Sequence, residues 1–245
     1  MTDVVAETDD SRSLVFGVPA GADIPADRLR YAPGQFLTLR IPSDRTGSVA
    51  RCYSLCSSPF TDDALTVTVK RTADGYASNW LCDHAHRGMK IHVLAPPSGT
   101  FVPKTLDTDF LLIAAGSGIT PMLAICKSAL SEGSGQVTLL YANRDEKSVI
   151  FGSTLRDLAA KYPPDRLTVV HWLESVQGAA QHRGARQADG ALHRPAGVHL
   201  RAGTVHAGRR AGLGVAERAG QAGAHRGVPL TGHRSLRRGE DHRRG

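Results

Sequence analysis

The segment RCYSL, residues 51–55, sets a guanidinium, an aromatic ring and a hydroxyl close together along the chain. In a strand, Arg51 and Tyr53 point to one face while Cys52 and Ser54 point to the other. A cationic fork can hold phosphate, a ring can stack on a planar heterocycle, and a hydroxyl can bond a ring heteroatom. A barrel strand with an exposed arginine is the plainer reading of the same letters. In VKRTADGYASNWL, residues 69–81, a strand leads through a turn at Asp74 and Gly75 to a helix start near Ser78. Free N–H groups at such a start attract an anion; a strand, a turn and a serine-capped helix is the bland alternative. In AAGSGITP, residues 114–121, Gly116 and Gly118 let the chain turn sharply after a buried strand and approach a ligand closely. Thr120 and Pro121 suit a helix's opening turn. The third glycine of the dinucleotide fingerprint is missing.

The surrounding elements are legible as patterns. Residues 13–19, 34–42, 50–58, 64–71 and 90–96 are short apolar or alternating runs bounded by Gly and Pro. Strands at this spacing predict a small antiparallel barrel. The pattern then changes to a buried run (DFLLIAAGSG), a helix (ITPMLAICKSAL), a strand (QVTLLYAN), a helix (STLRDLAAKY) and a strand (RLTVVHWLE). This βαβαβ order predicts the beginning of a parallel sheet. The expected domains are a flexible N-terminus over 1–9, a β-barrel over 10–104, a partial α/β nucleotide-binding domain over 105–178, and a tail over 179–245.

In this order the motifs resemble those of the ferredoxin–NADP reductase family, in which a flavin-binding barrel precedes a pyridine-nucleotide domain. PGQF (33–36) and GTF (99–101) look like its barrel signatures, RCYS like its Arg-x-Tyr-Ser flavin motif, and GYAS (75–78) like its Gly-x-x-Ser pyrophosphate motif. AAGSGITPML resembles the nicotinamide-domain turn, and YANRDEKSVIF its second-strand segment. The wording of RCYSLCSSP and VKRTADGYASNWL is closest to reductase components of oxygenases, those for 3-ketosteroids in particular. The resemblance implies that Arg51 pairs with the FAD pyrophosphate, Tyr53 stacks on the flavin and Ser54 bonds near its N5, Tyr53 and Ser54 being the catalytic pair. Backbone at Val69, Lys70 and Arg71 would line the dinucleotide, and Gly75 and Ser78 would bind its phosphates. Gly116, Ser117, Gly118 and Thr120 would hold NAD(P)H, with Arg144 placed to accept a 2′-phosphate. The implied activity passes hydride from NAD(P)H to FAD and then single electrons to an oxygenase partner. Intact relatives are expected to add a [2Fe–2S] domain.

Composition divides the chain sharply. Residues 1–178 hold 17 Lys+Arg against 19 Asp+Glu, whereas residues 179–245 hold 13 Arg, no Lys and 4 Asp+Glu. The tail also has no Phe, Trp, Tyr, Ile, Met or Cys, so it cannot bury enough apolar surface to order itself, and a disordered basic tail is expected. It also lacks the cysteines for an iron–sulfur cluster. Read one base out of frame, codons for residues 198–207 admit Phe-Ile-Cys-Gly-Pro-Gly-Pro-Phe-Met, the family's missing nicotinamide strand. The same shift through residues 223–232 admits Val-His-Ile-Glu-Val-Phe-Arg-Ser-Leu, resembling its next strand. Residues beyond about Gly178 are therefore expected to be a frameshift product, with FLLIAA left as an unpaired hydrophobic edge and activity impaired.

Other function classes fare less well. No apolar run reaches the roughly 20 residues of a membrane span, and the acidic N-terminus lacks a signal-peptide pattern. Four cysteines without CxxC spacing suit a reducing cytoplasm. Cys82, Asp83, His84 and His86 are metal-ligand types, but on a helix positions i and i+2 do not face each other, so no metal site is expected. Cys52 and Cys56 read as small core residues. The alternatives are a flavin- or nucleotide-binding protein whose basic tail grips nucleic acid, disfavoured because the tail has no aromatics, and a non-catalytic remnant. A cytoplasmic monomer is expected.

Overall fold

The structure is a computed structural model that describes residues 1–18, 21–178, 198–201 and 215–216. Strands β1 (Asp3–Thr8), β2 (Ser11–Phe16) and β5 (Leu65–Lys70) form one antiparallel sheet in the order β1-β2-β5. Strands β3 (Phe36–Ser43), β4 (Gly47–Ser54) and β6 (His92–Ser98) form a second, in the order β4-β3-β6. A bridge between Leu55 and Val67 links the two sheets. Their inward side chains, Leu14, Leu37, Leu39, Ile41, Val67 and Val69, make one core capped by Leu81 of helix α1 (Tyr76–His84).

Two glycines close this barrel. Gly34 stands at φ +99°, and a Cβ there would lie 1.9 Å from the Phe101 carbonyl oxygen. Gly99 stands at φ +119°, and its Cβ would meet the Phe36 ring at 3.0 Å. The PGQF and GTF motifs are thus two halves of one contact, far apart in sequence, and only glycine permits it.

The second layer is a parallel sheet. Strands β7 (Phe110–Ala115), β8 (Val137–Asn143) and β9 (Leu167–Leu173) pair in parallel. Helices α2 (Ile119–Glu132) and α3 (Gly152–Lys161) connect them; a short α4 (Glu174–Gln177) follows β9. Phe110, Leu112, Leu139 and Tyr141 pack with Met122, Ile125 and Leu155 in this core, which also takes in Cys56 and Phe101 from the barrel side. The domains are joined by a buried Ser58–Ser128 hydroxyl contact of 2.9 Å and by Lys127 on Asp62 at 2.6 Å.

Two expectations are corrected. Residues 1–9 are not a flexible terminus: β1 pairs along β2 from Asp3 to Thr8, because Val4 adds an apolar contact to the barrel core. FLLIAA is not an unpaired edge: β10 (Val198–Arg201) lies parallel to β7, with Val198 opposite Phe110 and Leu200 opposite Leu112. β11 (Val215–Ala216) pairs antiparallel to β10. An open edge of a parallel sheet offers unpaired backbone groups, and a short alternating stretch such as VHLR satisfies them whatever its origin. Residues 198–201 and 215–216 of the tail are thus placed in strands. The remainder of the tail lies outside the described residues.

Candidate functional site

RCYS occupies the last positions of β4. Arg51 is exposed, and its only side-chain hydrogen bond among the described residues is from Nη1 to the neighbouring Ala50 carbonyl at 2.8 Å. Tyr53 is half-buried, packed on the barrel core. Burial raises its phenol to about 12, against the pull of the Arg51 charge, so it stays a neutral ring. Ser54 is half-buried opposite Phe36. Cys52 is exposed, with Thr38 Oγ1 3.4 Å from its sulfur, so it is not a core residue; Cys56 is buried, and burial pushes its thiol to about 11.

β5 brings residues 69–71 alongside. Past Val67, where the bridge to Leu55 ends, the outer edge of β5 has no second strand among the described residues. The backbone of Val69 itself faces Arg12 of β2, and its carbonyl also lies 3.7 Å from the Cys82 thiol, so the outward-facing groups are those of Thr68 and Lys70. The Val69 side chain is core; Lys70 faces Asp10 at 3.4 Å, and Arg71 pairs with Asp83. Only the backbone of this segment is available to a ligand.

Helix α1 begins at Tyr76, two residues before the expected start. Its cap is Gly75, which offers no side-chain cap. Ser78 is therefore inside the first turn, where its hydroxyl donates to the Gly75 carbonyl and accepts from Thr72 N–H, each at 3.2 Å. The Tyr76 hydroxyl donates to the Pro42 carbonyl at 2.8 Å, pinning this helix start to β3. A shallow depression of about 470 Å³ lies over it, lined by Tyr76, Trp80 and Asp83 among others. In the CDHAH stretch, Asp83 is taken by Arg71 and the His84 ring lies 2.8 Å from the Trp80 carbonyl.

The glycine turn is tight. Gly116–Gly118 form a single 3-10 turn, Gly116 at φ +50°, running directly into α2 with no side-chain cap. Thr120 is buried and its hydroxyl donates back to the Ser117 carbonyl at 3.1 Å. The turn packs against β5, which sets the opening of α2 beside the barrel strand that ends at residues 69–71. Arg144 follows β8 and lies 3.6 Å from Asp10 of the barrel, its side chain 70% exposed.

Sequence reasoning missed two residues here. The Tyr141 hydroxyl donates to the Gly116 carbonyl at 3.0 Å. Asn143 is 6% exposed, yet neither its amide nitrogen nor its oxygen completes a hydrogen bond among the described residues. Both sit on the inward face of β8 at its C-terminal end, so strand alternation in LLYAN was the available signal. The C-terminal end of a parallel sheet, beside an uncapped glycine turn and an orphaned buried amide, suits a dinucleotide. The free Arg51 fork, the Tyr53 ring, the open edge of β5 and the uncapped start of α1 suit a second, flavin-type one.

Two family models match, an oxidoreductase FAD-binding domain over residues 2–102 and an oxidoreductase NAD-binding domain over 112–192. The chain belongs to the ferredoxin reductase family. It is 76% identical over 195 residues to the ferredoxin reductase component of 3-ketosteroid-9-alpha-monooxygenase from Mycolicibacterium smegmatis, covering 80% of this chain and 54% of that one. It is 30% identical over 169 residues to the glycine betaine monooxygenase reductase subunit from Chromohalobacter salexigens, covering 68% and 44%. The chain thus spans about half the length of these relatives. Among solved structures it is similar to the FAD/NAD-binding domain of a nitric oxide dioxygenase from Vibrio cholerae, with TM-score 0.61, 25% identity, and 74% and 78% of the two chains covered. FAD-binding and NAD-binding domains are both present. No helix among the described residues is long and apolar enough to cross a membrane.

Proposed function

We propose that this chain is the flavin and nicotinamide half of an oxygenase reductase, taking hydride from NAD(P)H and delivering electrons to a 3-ketosteroid monooxygenase. The carrying observation is the packing of the glycine turn against β5, which would make the two dinucleotide sites neighbours across one domain interface. The 76% identity to a named reductase component supports the choice of partner.

Bound FAD would supply a two-electron acceptor that passes electrons on singly. Arg51 would neutralise its pyrophosphate, and the uncapped N–H groups at the start of α1, with Ser78, would bind it further. The Tyr53 ring would cover the flavin and keep water from it, while Ser54 supplies a hydrogen bond at the ring's edge. Backbone of the Val69, Lys70 and Arg71 segment, chiefly that of Lys70, would fix the ring along the open strand edge. The N–H groups of residues 116–118 and Thr120 would bind the NAD(P)H pyrophosphate, and Arg144 would face its adenosine end. Rigid placement of the two rings is the main catalytic contribution of such a site.

Residues beyond about Gly178 we read as translated out of frame, as the base-shifted codons and the aromatic-free composition suggest. Alignments to four reductase components cover 71% to 80% of the chain and leave the rest unmatched, and the NAD-binding match ends at residue 192. An impaired reductase would follow from it, and we further propose that the chain is a cytoplasmic monomer. The deciding experiment is anaerobic mixing of the FAD-loaded chain with NADH or NADPH. Flavin bleaching with slow reduction of an artificial acceptor is expected; FAD retention without bleaching would reduce the chain to a flavin-binding remnant. Salt-sensitive RNA binding by the tail would favour the nucleic-acid reading instead.

A further inference from the structure

The barrel is not filled at every end. A cavity of about 290 Å³ opens between the two antiparallel sheets, and none of Arg51, Tyr53, Ser54 or the glycine turn lines it. Phe16, Leu37 and Val93, from β2, β3 and β6, make its apolar walls, and Ile24 stands 41% exposed at its edge. Two cations, Arg28 and Lys90, and the imidazole of His92 share the lining, all exposed. No acidic residue is among the lining residues. None of the three has an ion-pair partner among the described residues.

Charge and shape here agree on one class of ligand. An apolar slot alone would accept any hydrocarbon; unpaired cations of one sign at its edge select an anionic head and reject a cationic one. The volume lies at the small end of ligand pockets, roughly 300–1,000 Å³, which suits a medium rather than a long chain. We propose that this cavity binds a medium-chain fatty acid, its tail between Phe16, Leu37 and Val93 and its carboxylate against Arg28, Lys90 and His92. The site is separate from both dinucleotide sites, so it holds whether or not the chain transfers electrons.

Calorimetric titration of the full, FAD-loaded chain tests this, with laurate, dodecanol and dodecyltrimethylammonium each kept below micelle formation. Laurate is expected to saturate a single site, with the alcohol about tenfold or more weaker and the ammonium weaker still. The double variant R28E/K90E changes two exposed side chains; it should lose laurate by a similar factor while retaining FAD and its melting temperature. Ile24→Trp, which narrows the mouth without touching charge, should weaken acid and alcohol alike. Equal binding of acid and alcohol, or full laurate affinity in R28E/K90E, overturns the proposal. So does absence of laurate binding to a chain shown to hold FAD.

Discussion

The Tyr141 hydroxyl donates to the Gly116 carbonyl over 3.0 Å, so the second parallel strand holds the turn that ends the first. Tyr141 is fully buried, and burial raises its phenol well above the usual value, keeping it a neutral donor. Tyr141→Phe keeps the ring but leaves the carbonyl with the Ile119 backbone N–H alone, a loss of about 1 kcal/mol. The turn would then hold NAD(P)H less well. The expected result is a several-fold rise in KM for NAD(P)H at unchanged flavin content. A fall in melting temperature with KM unmoved would limit the bond to a structural role.

Among the described residues Arg51 has no acidic partner and no side-chain hydrogen bond beyond its own strand, so its charge is free for a ligand. Arg51→Ala should lower FAD affinity by about tenfold to a hundredfold, as expected for a lost charge-assisted, forked contact. Arg51→Lys keeps the charge without the fork and should fall between. Flavin content after gel filtration reads this directly. Wild-type flavin retention by the alanine variant would remove Arg51 from the site.

Gly34→Ala tests the fold rather than the chemistry. Its Cβ would overlap the Phe101 carbonyl at 1.9 Å, with φ at +99°. Neither the backbone of residue 101 nor the turn can yield cheaply, and such a variant should cost more than about 3 kcal/mol. Insoluble expression or a lost cooperative melt is expected. A stable Gly34→Ala protein would mean that the barrel closes differently.

The interdomain contacts predict a separable defect. Ser58 and Ser128 hydroxyls meet at 2.9 Å in a buried position, and Ser128 also donates to the Ala124 carbonyl at 2.7 Å. Ser128→Ala removes only the hydroxyl and leaves the Ser58 O–H without its acceptor, while the Ser58 oxygen keeps the Phe60 N–H, costing about 1–3 kcal/mol. Loosened docking should slow NAD(P)H-dependent flavin reduction while FAD stays bound. Stopped-flow reduction against flavin content separates the two; parallel loss of both would indicate general unfolding.

Motifs that are local in the chain were legible in the sequence, because each is a backbone requirement written in a few letters. RCYS on a strand end, glycines after FLLIAA and the switch from alternating to continuous apolar runs all fall where the pattern places them. Contacts between distant segments were not legible. Nothing in DDS at residues 9–11 announces that Asp10 faces both Lys70 and Arg144, at 3.4 and 3.6 Å. Nor does YAN announce a hydroxyl bonded to a carbonyl 25 residues earlier. The Ser78 error has a local cause: Gly75 caps α1 through backbone geometry alone, whereas a serine cap is the stronger sequence signal. The strand at Val198–Arg201 was hidden for another reason, since a sheet edge can recruit a segment whose composition argues against order.

Acid stability offers a final test. The Asp107 carboxylate accepts from both the backbone N–H and the hydroxyl of Ser134, each at 2.8 Å, joining the linker before β7 to the loop before β8. These two bonds hold its pKa below the usual carboxylate value. A carboxyl with a lowered folded pKa adds stability above its unfolded value, about 3.9, and loses that contribution as pH falls through the folded value. Asp83, bonded by Arg71, and Asp145, bonded by Ser148, are shifted in the same direction. The melting temperature should therefore fall below about pH 4, and Asp107→Asn, which cannot titrate, should fall less steeply over that window while melting lower at neutral pH. Parallel melting curves for the two proteins down to acid pH would mean that the Asp107–Ser134 contact does not persist in solution.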